Sequence, residues 1–75
     1  MKDFLINTIE EIAFSTVDKD EALWSSKILD SITVIELAVE IENKFNIKIP
    51  VEDIIEDNFQ TVSNMMNYID SKISV

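Results

Sequence analysis

No cysteine, histidine or glycine occurs in these 75 residues, and proline occurs once. Without cysteine there is no disulfide, thiolate nucleophile or thiolate metal ligand, and the redox compartment stays open. Without histidine the chain lacks the usual general base and the commonest metal ligand. Asp and Glu alone can build an active site, but a chain this short rarely encloses a catalytic cleft, so a non-catalytic protein is expected. The lack of glycine argues against a hairpin-rich fold, because tight β-turns lean on it for positive φ. No apolar run approaches a bilayer-spanning length. The start, "MKDFLINTIEEI", carries acids inside its apolar stretch, unlike a signal peptide. A complete cytoplasmic chain without membrane attachment is the expectation.

What is abundant is acid. Fifteen acidic side chains against six basic ones give a formal net charge of -9. Such a surface repels nucleic acid and anionic lipid, which are bound through Lys and Arg. It favours partners with basic patches, attracted by long-range steering. The plainer alternative is that the charge serves solubility alone.

Seventy-five residues make one domain, 1–75, near the lower limit for folding on a single apolar core. Its pattern is helical nearly throughout. Leu5, Ile9, Ile12 and Ala13 recur at three- and four-residue spacing and predict a helix over about 2–14. "STVDKDEALWSSK" reads as a long loop, with Leu23, Trp24 and Ile28 pinning it to the helices. A long helix follows over about 31–45. Asn46 suits its left-handed C-cap, and Pro50 forces Ile49 to be extended. "VEDIIED" predicts a short helix with Ile54 and Ile55 inward, and "NFQT" a turn. Thr61 is an N-cap for a last helix burying Val62, Met65, Met66, Ile69 and Ile73. The expected fold is all-α: a small four-helix bundle of three longer helices and one short one, with the long loop between the first and second.

The central helix carries more apolar residues than one face can bury. At about 100° per residue, Val34, Leu37, Ala38, Ile41 and Phe45 share one arc and form the core face. Ile32, Ile35 and Val39 form a second stripe, flanked by Glu36 and Glu42. Either the long loop covers Ile32 and the other two stay partly exposed, or the strip is a docking surface. In the second case apolar contact supplies affinity and the acids supply orientation. Ser31 lies on the edge of this strip, one turn before Ile35. Asp30 is placed to cap the helix through its carboxylate, which leaves the Ser31 hydroxyl free. Ser31 has no activating base nearby, so any chemistry on it belongs to another protein.

Three stretches in order, "DSI" (Asp30 to Ile32), "IEL" (Ile35 to Leu37) and "FNIKIP" (Phe45 to Pro50), together with "TV" at Thr61 and Val62, resemble the acyl and peptidyl carrier proteins. The likeness runs from Leu23 to Ile69. It implies that Ser31 receives 4'-phosphopantetheine from coenzyme A through a phosphopantetheinyl transferase. Asp30 matches the acid that supports this modification. Ile32, Ile35, Glu36, Val39 and Glu42 match positions that meet partner enzymes. The resemblance implies no metal ligand and no catalytic residue within the chain itself. It implies a carrier, monomeric when free, that tethers intermediates as thioesters for an adenylation or acyl-loading enzyme and for downstream enzymes.

Two features bear on the cargo. "KILDS" is similar to the "G-L-L-D-S" approach of free-standing peptidyl and D-alanyl carriers, but Lys27 stands where glycine is expected. If that position needs positive φ, lysine resists it. Thr33 stands where fatty-acid carriers have an acid. These residues favour an aminoacyl or peptidyl carrier. The charge of -9 fits a fatty-acid or polyketide carrier, which remains the alternative. An unmodified acidic protein-binding module is a further one.

Overall fold

A computed structural model describes residues 1–73 of the chain. Four α-helices appear among them and no strand. None of the helices is long and apolar enough to cross a membrane. The first, α1 (Lys2–Ala13), buries Leu5 and Ile9 completely. Each such side chain contributes roughly 1.5–3 kcal/mol when removed from water. Thr8 is buried between them, and its hydroxyl donates to the Phe4 carbonyl at 2.7 Å, so its burial leaves no polar atom unpaired. The helix ends one residue before the expected limit. Phe14 takes the left-handed C-cap with φ 58° and leaves its ring 91% exposed.

The loop expected over 15–27 is a longer strap, residues 14–32. Val17, Leu23 and Leu29 are its buried anchors, while Trp24 and Ile28 are half-buried. The strap is tied to the rest of the bundle by Gln60 and by Ser63, whose N–H and hydroxyl donate to the Lys19 carbonyl and the Asp20 carboxylate, each at 3.0 Å. Gln60 Oε1 accepts the N–H groups of Trp24 and Ser25, each at 3.0 Å, and the Gln60 carbonyl accepts that of Leu23 at 2.7 Å. Lys27 sits at φ 66°, the left-handed conformation that the sequence pattern assigns to glycine.

The central helix is α2 (Thr33–Phe45). Its regular part begins two residues later than expected, although the Val34 N–H already bonds the Asp30 carbonyl. Val34, Leu37, Ala38 and Ile41 are buried. Phe45 is half-buried, its ring edge-on to Phe4 of α1 at 5.7 Å. Asn46 caps the end in the left-handed conformation, and the N–H groups of Asn46 and Ile47 both reach the Glu42 carbonyl.

The third segment departs from expectation. In place of one helix over "VEDIIED" there is a 3-10 turn (Val51–Asp53) and then α3 (Glu56–Phe59). Ile55 between them is extended, at φ -131° and ψ 162°, and its side chain is exposed rather than buried. That break lets the Ile55 carbonyl accept the N–H groups of Asn58 and Phe59 and start a new turn. The segment expected as a turn therefore supplies Phe59, which is fully buried 6.0 Å from the Tyr68 ring.

The last helix, α4 (Val62–Ile73), opens on the expected cap: Thr61 Oγ1 accepts the Asn64 N–H at 3.0 Å. Val62, Met65 and Ile69 are buried and Met66 is half-buried. Ile73 is exposed, contrary to the helical repeat, because the final turn runs past the packed part of the bundle. α1 packs on both α2 and α4, and α3 packs on α4. Asp53 joins the 3-10 turn to α4, accepting the Tyr68 hydroxyl at 2.6 Å and pairing with Lys72 at 3.4 Å. The Tyr68 hydroxyl hydrogen bond holds the Asp53 carboxyl below the ordinary range. Burial, with the Asp53 carboxylate beside it, pushes Tyr68 well above the ordinary tyrosine range.

The left-handed backbone at Lys27 yields a prediction. A side chain with Cβ there costs of order 1 kcal/mol that glycine avoids, partly offset by glycine's larger freedom when unfolded. Lys27→Gly should therefore stabilise the fold by up to about 1 kcal/mol, raising the melting temperature by a few degrees. A melting temperature that stays put or falls in calorimetry contradicts this.

Candidate functional site

Asp30 and Thr33 close the start of α2 by bonding to each other. One oxygen of Asp30, Oδ1, accepts the N–H of Ile32 at 2.9 Å and of Thr33 at 2.8 Å. In return the Thr33 hydroxyl accepts the Asp30 N–H at 2.8 Å and donates to the same Oδ1 at 3.0 Å. This is a reciprocal cap, with threonine in the position where glutamate or glutamine is usual. Three N–H groups are satisfied by two side chains. The hydrogen bonds from Thr33, backbone first and then hydroxyl, followed by that from the Ile32 N–H, hold the Asp30 carboxyl below the ordinary aspartate value.

Ser31 is thereby left out of the cap. Its side chain is exposed, and its hydroxyl makes no hydrogen bond to the described residues. Ser31 lies on the wall of a half-open groove of about 420 Å³ formed by the strap, the start of α2 and the 3-10 turn. Trp24, Leu29, Val34, Val51 and Ile54 make most of this lining apolar, while Lys27 and Asp30 are its charged members.

The second stripe of α2 is uncovered. Ile32 is 68% exposed, Ile35 51% and Val39 47%, so the strap does not lie over Ile32. Ile35, Glu36 and Val39 line a second groove, between α2 and α1, with Ile12 in its floor and Glu11 and Glu40 beside it. Glu42 stands apart from these. It is half-buried, and its carboxylate accepts the Ile49 N–H at 2.8 Å, holding the "FNIKIP" exit against the helix.

Sequence reasoning singled out Asp30, Ser31, Ile35, Glu36 and Val39; the structure has Asp30 and Ser31 on the first groove, Glu36 and Val39 on the second, and Ile35 on both. Sequence reasoning missed Thr33, Gln60, Glu11 and Glu40. The "DSIT" spacing was a signal for Thr33, since a threonine three residues after a capping acid can bond back to it. Gln60 carried no local signal, because its partners lie 35 and 36 residues away.

The sequence matches the family described as "Phosphopantetheine attachment site" over residues 5–69. It is 33% identical over 69 residues to the D-alanyl carrier protein of Streptococcus suis (strain 05ZYH33), covering 89% of this chain and 87% of that one. With the D-alanyl carrier protein of Streptococcus sanguinis (strain SK36) it shares 35% identity over 68 residues, covering 88% of this chain and 86% of the relative. An exposed, unengaged serine at a capped helix start and a family match across nearly the whole chain agree: this chain belongs to the phosphopantetheine-attachment family of carrier proteins. It is a carrier that holds intermediates as thioesters on 4'-phosphopantetheine joined to a serine. It works with a phosphopantetheinyl transferase and with loading and transfer partners. The residues present fit the group, since Ser31 Oγ is open to solvent and borders a groove with an apolar lining.

The lowered pKa of Asp30 sets a pH response. A carboxyl whose pKa is lower in the folded chain adds stability above its unfolded value, and that stability is lost as pH falls through the folded value. Urea unfolding between neutral pH and pH 2 should show the Asp30→Asn variant losing less stability on acidification than the wild type. Parallel losses in both proteins contradict the cap's role.

Proposed function

We propose that Ser31 is the attachment site and that residues 1–75 act as one carrier domain for an amino acid, D-alanine being the cargo named for the similar carriers. The observation that carries this reading is the division of labour at the start of α2. Asp30 and Thr33 do the capping, and Ser31 is the residue whose hydroxyl is left exposed. In the transfer the Ser31 oxygen bonds to the coenzyme A phosphorus that carries pantetheine. The bond from that phosphorus to the nucleotide half breaks, adenosine 3',5'-bisphosphate leaves, and the serine proton passes to a base of the transferase. Asp30 supports the step from beside Ser31. The thiol at the end of the arm supplies a reactive sulfur that this sequence lacks.

The chain itself is non-catalytic in this reading; it contributes a handle and an address. Ile32, Ile35 and Val39 are the apolar contacts, with Glu36 as an acidic partner of basic patches on the enzymes, while Glu42 is engaged by the Ile49 N–H. Glu11 and Glu40 extend the acidic border along the α1 side. Free carrier is monomeric and acts in the cytoplasm, within reach of a coenzyme A-dependent transferase. Tethering raises the effective concentration of cargo at each active site.

Incubation with coenzyme A, Mg²⁺ and a broad-specificity transferase, followed by digestion and mass mapping, tests the attachment site. One adduct on Ser31, absent from Ser31→Ala, is expected. An adduct on Ser25, Ser26 or Ser63, or one that persists in the alanine variant, overturns the assignment. The docking face has its own test. Glu36→Lys with Glu40→Lys should slow association with a loading enzyme in stopped-flow binding, and the difference should shrink as salt rises. An association rate insensitive to both the reversals and the salt removes the acids from docking.

A further inference from the structure

We propose that Lys27 is a positioning residue for the arm: its ammonium pairs with the phosphodiester on Ser31 and holds the start of the arm along the groove. This rests on Ser31 being the attachment site. Lys27, Asp30 and Ser31 line the same groove, and Lys27 is the one basic residue in that lining. Attachment places a full negative charge on Ser31, next to the Asp30 carboxylate and in a chain of net charge -9. A further anion in that field is unfavourable unless a cation stands beside it.

Lys27 is free to be that cation. Lys19 pairs with Asp20, Lys72 pairs with Asp53 and Lys44 lies over the Phe4 ring, whereas Lys27 has no ion pair among the described residues. The turn that carries it is held, with the Lys27 N–H on the Trp24 carbonyl at 3.1 Å and the Leu29 N–H on the Leu23 carbonyl at 3.0 Å. Its position in the left-handed region at φ 66° sets where the side chain leaves the backbone. The methylenes of the stem can follow the apolar lining while the ammonium stays in water, close to the phosphate. An ammonium serves a phosphate as a point charge, without a fixed two-point geometry. The pair is solvent-exposed, so it biases the direction of the arm more than it stabilises the fold, and it weakens with salt.

Phosphorus NMR of the loaded carrier tests this in wild type, Lys27→Gln and Lys27→Arg, each first mapped by mass to locate the adduct. Glutamine keeps the backbone requirement and most of the side-chain length while removing the charge. The expected result at low salt is a phosphodiester resonance displaced in Lys27→Gln and nearly restored in Lys27→Arg. The displacement should collapse near 1 M salt, where the screening length is about 3 Å. The ε-methylene signals of Lys27 should also move on loading more than those of Lys19 or Lys72. An adduct on a different serine overturns the attachment site and this proposal together. An adduct on Ser31 with the same phosphorus resonance in wild type and Lys27→Gln, and unmoved Lys27 ε signals, overturns the role of Lys27 alone.

Discussion

The carboxylate of Asp30 governs the functional end of the molecule. By taking the N–H groups of Ile32 and Thr33 it starts α2 at a defined residue and frees the intervening serine from any part in holding the helix. Thr33 completes the arrangement by bonding back to Asp30 through both its hydroxyl lone pair and its hydroxyl proton. A serine that capped its own helix would have to give up a hydrogen bond before it could be modified. Here it has none to give up. The same start sets the rotation of α2, which turns Val34, Leu37 and Ile41 into the core and leaves Ile35 and Val39 outside.

Everything around that helix start serves to hold a glycine-free strap in place. Among the described residues the backbone is left-handed at three points, Phe14, Lys27 and Asn46. Asparagine tolerates that conformation best of the three. Phenylalanine at the end of α1 leaves its ring in solvent, and nothing in the structure explains why an aromatic stands there. The cost at Lys27 is borne by the strap's anchors, Leu23 and Leu29 below and the Gln60 carboxamide at the side. α3 is only four residues long, yet it orients both Phe59 and Gln60, one into the core and the other onto the strap. A short segment thereby links the core to the rim of the groove beside Ser31.

Much of this was legible in the sequence because it rests on local rules. The apolar repeat gave α1 and the core face of α2, Thr61 gave the start of α4, and Asn46 gave the end of α2. The surplus of apolar residues on α2 gave the uncovered strip, since one stripe cannot turn two ways. The region after Pro50 was misread for a physical reason. "VEDIIED" fits a helical repeat, but Phe59 is the larger side chain, and burying it takes precedence over burying Ile55. The chain breaks at Ile55 to allow this. Glu42 resembled a free rim charge because its partner, the Ile49 N–H, lies seven residues on, beyond the helix end. Lys27 was legible in the opposite sense. The family's glycine suggested a positive φ there that lysine would resist, and the backbone takes that positive φ with lysine in place.

The central claim is that Asp30 holds the helix and Ser31 does not, and paired alanine substitutions separate the two. Urea unfolding at neutral pH of Asp30→Ala and Ser31→Ala, each against the wild type, reads this directly. If Asp30 is the cap, Asp30→Ala lowers the unfolding midpoint, and Ser31→Ala leaves it where it was. A midpoint lowered by Ser31→Ala as much as by Asp30→Ala, or unmoved by the loss of Asp30, contradicts the claim.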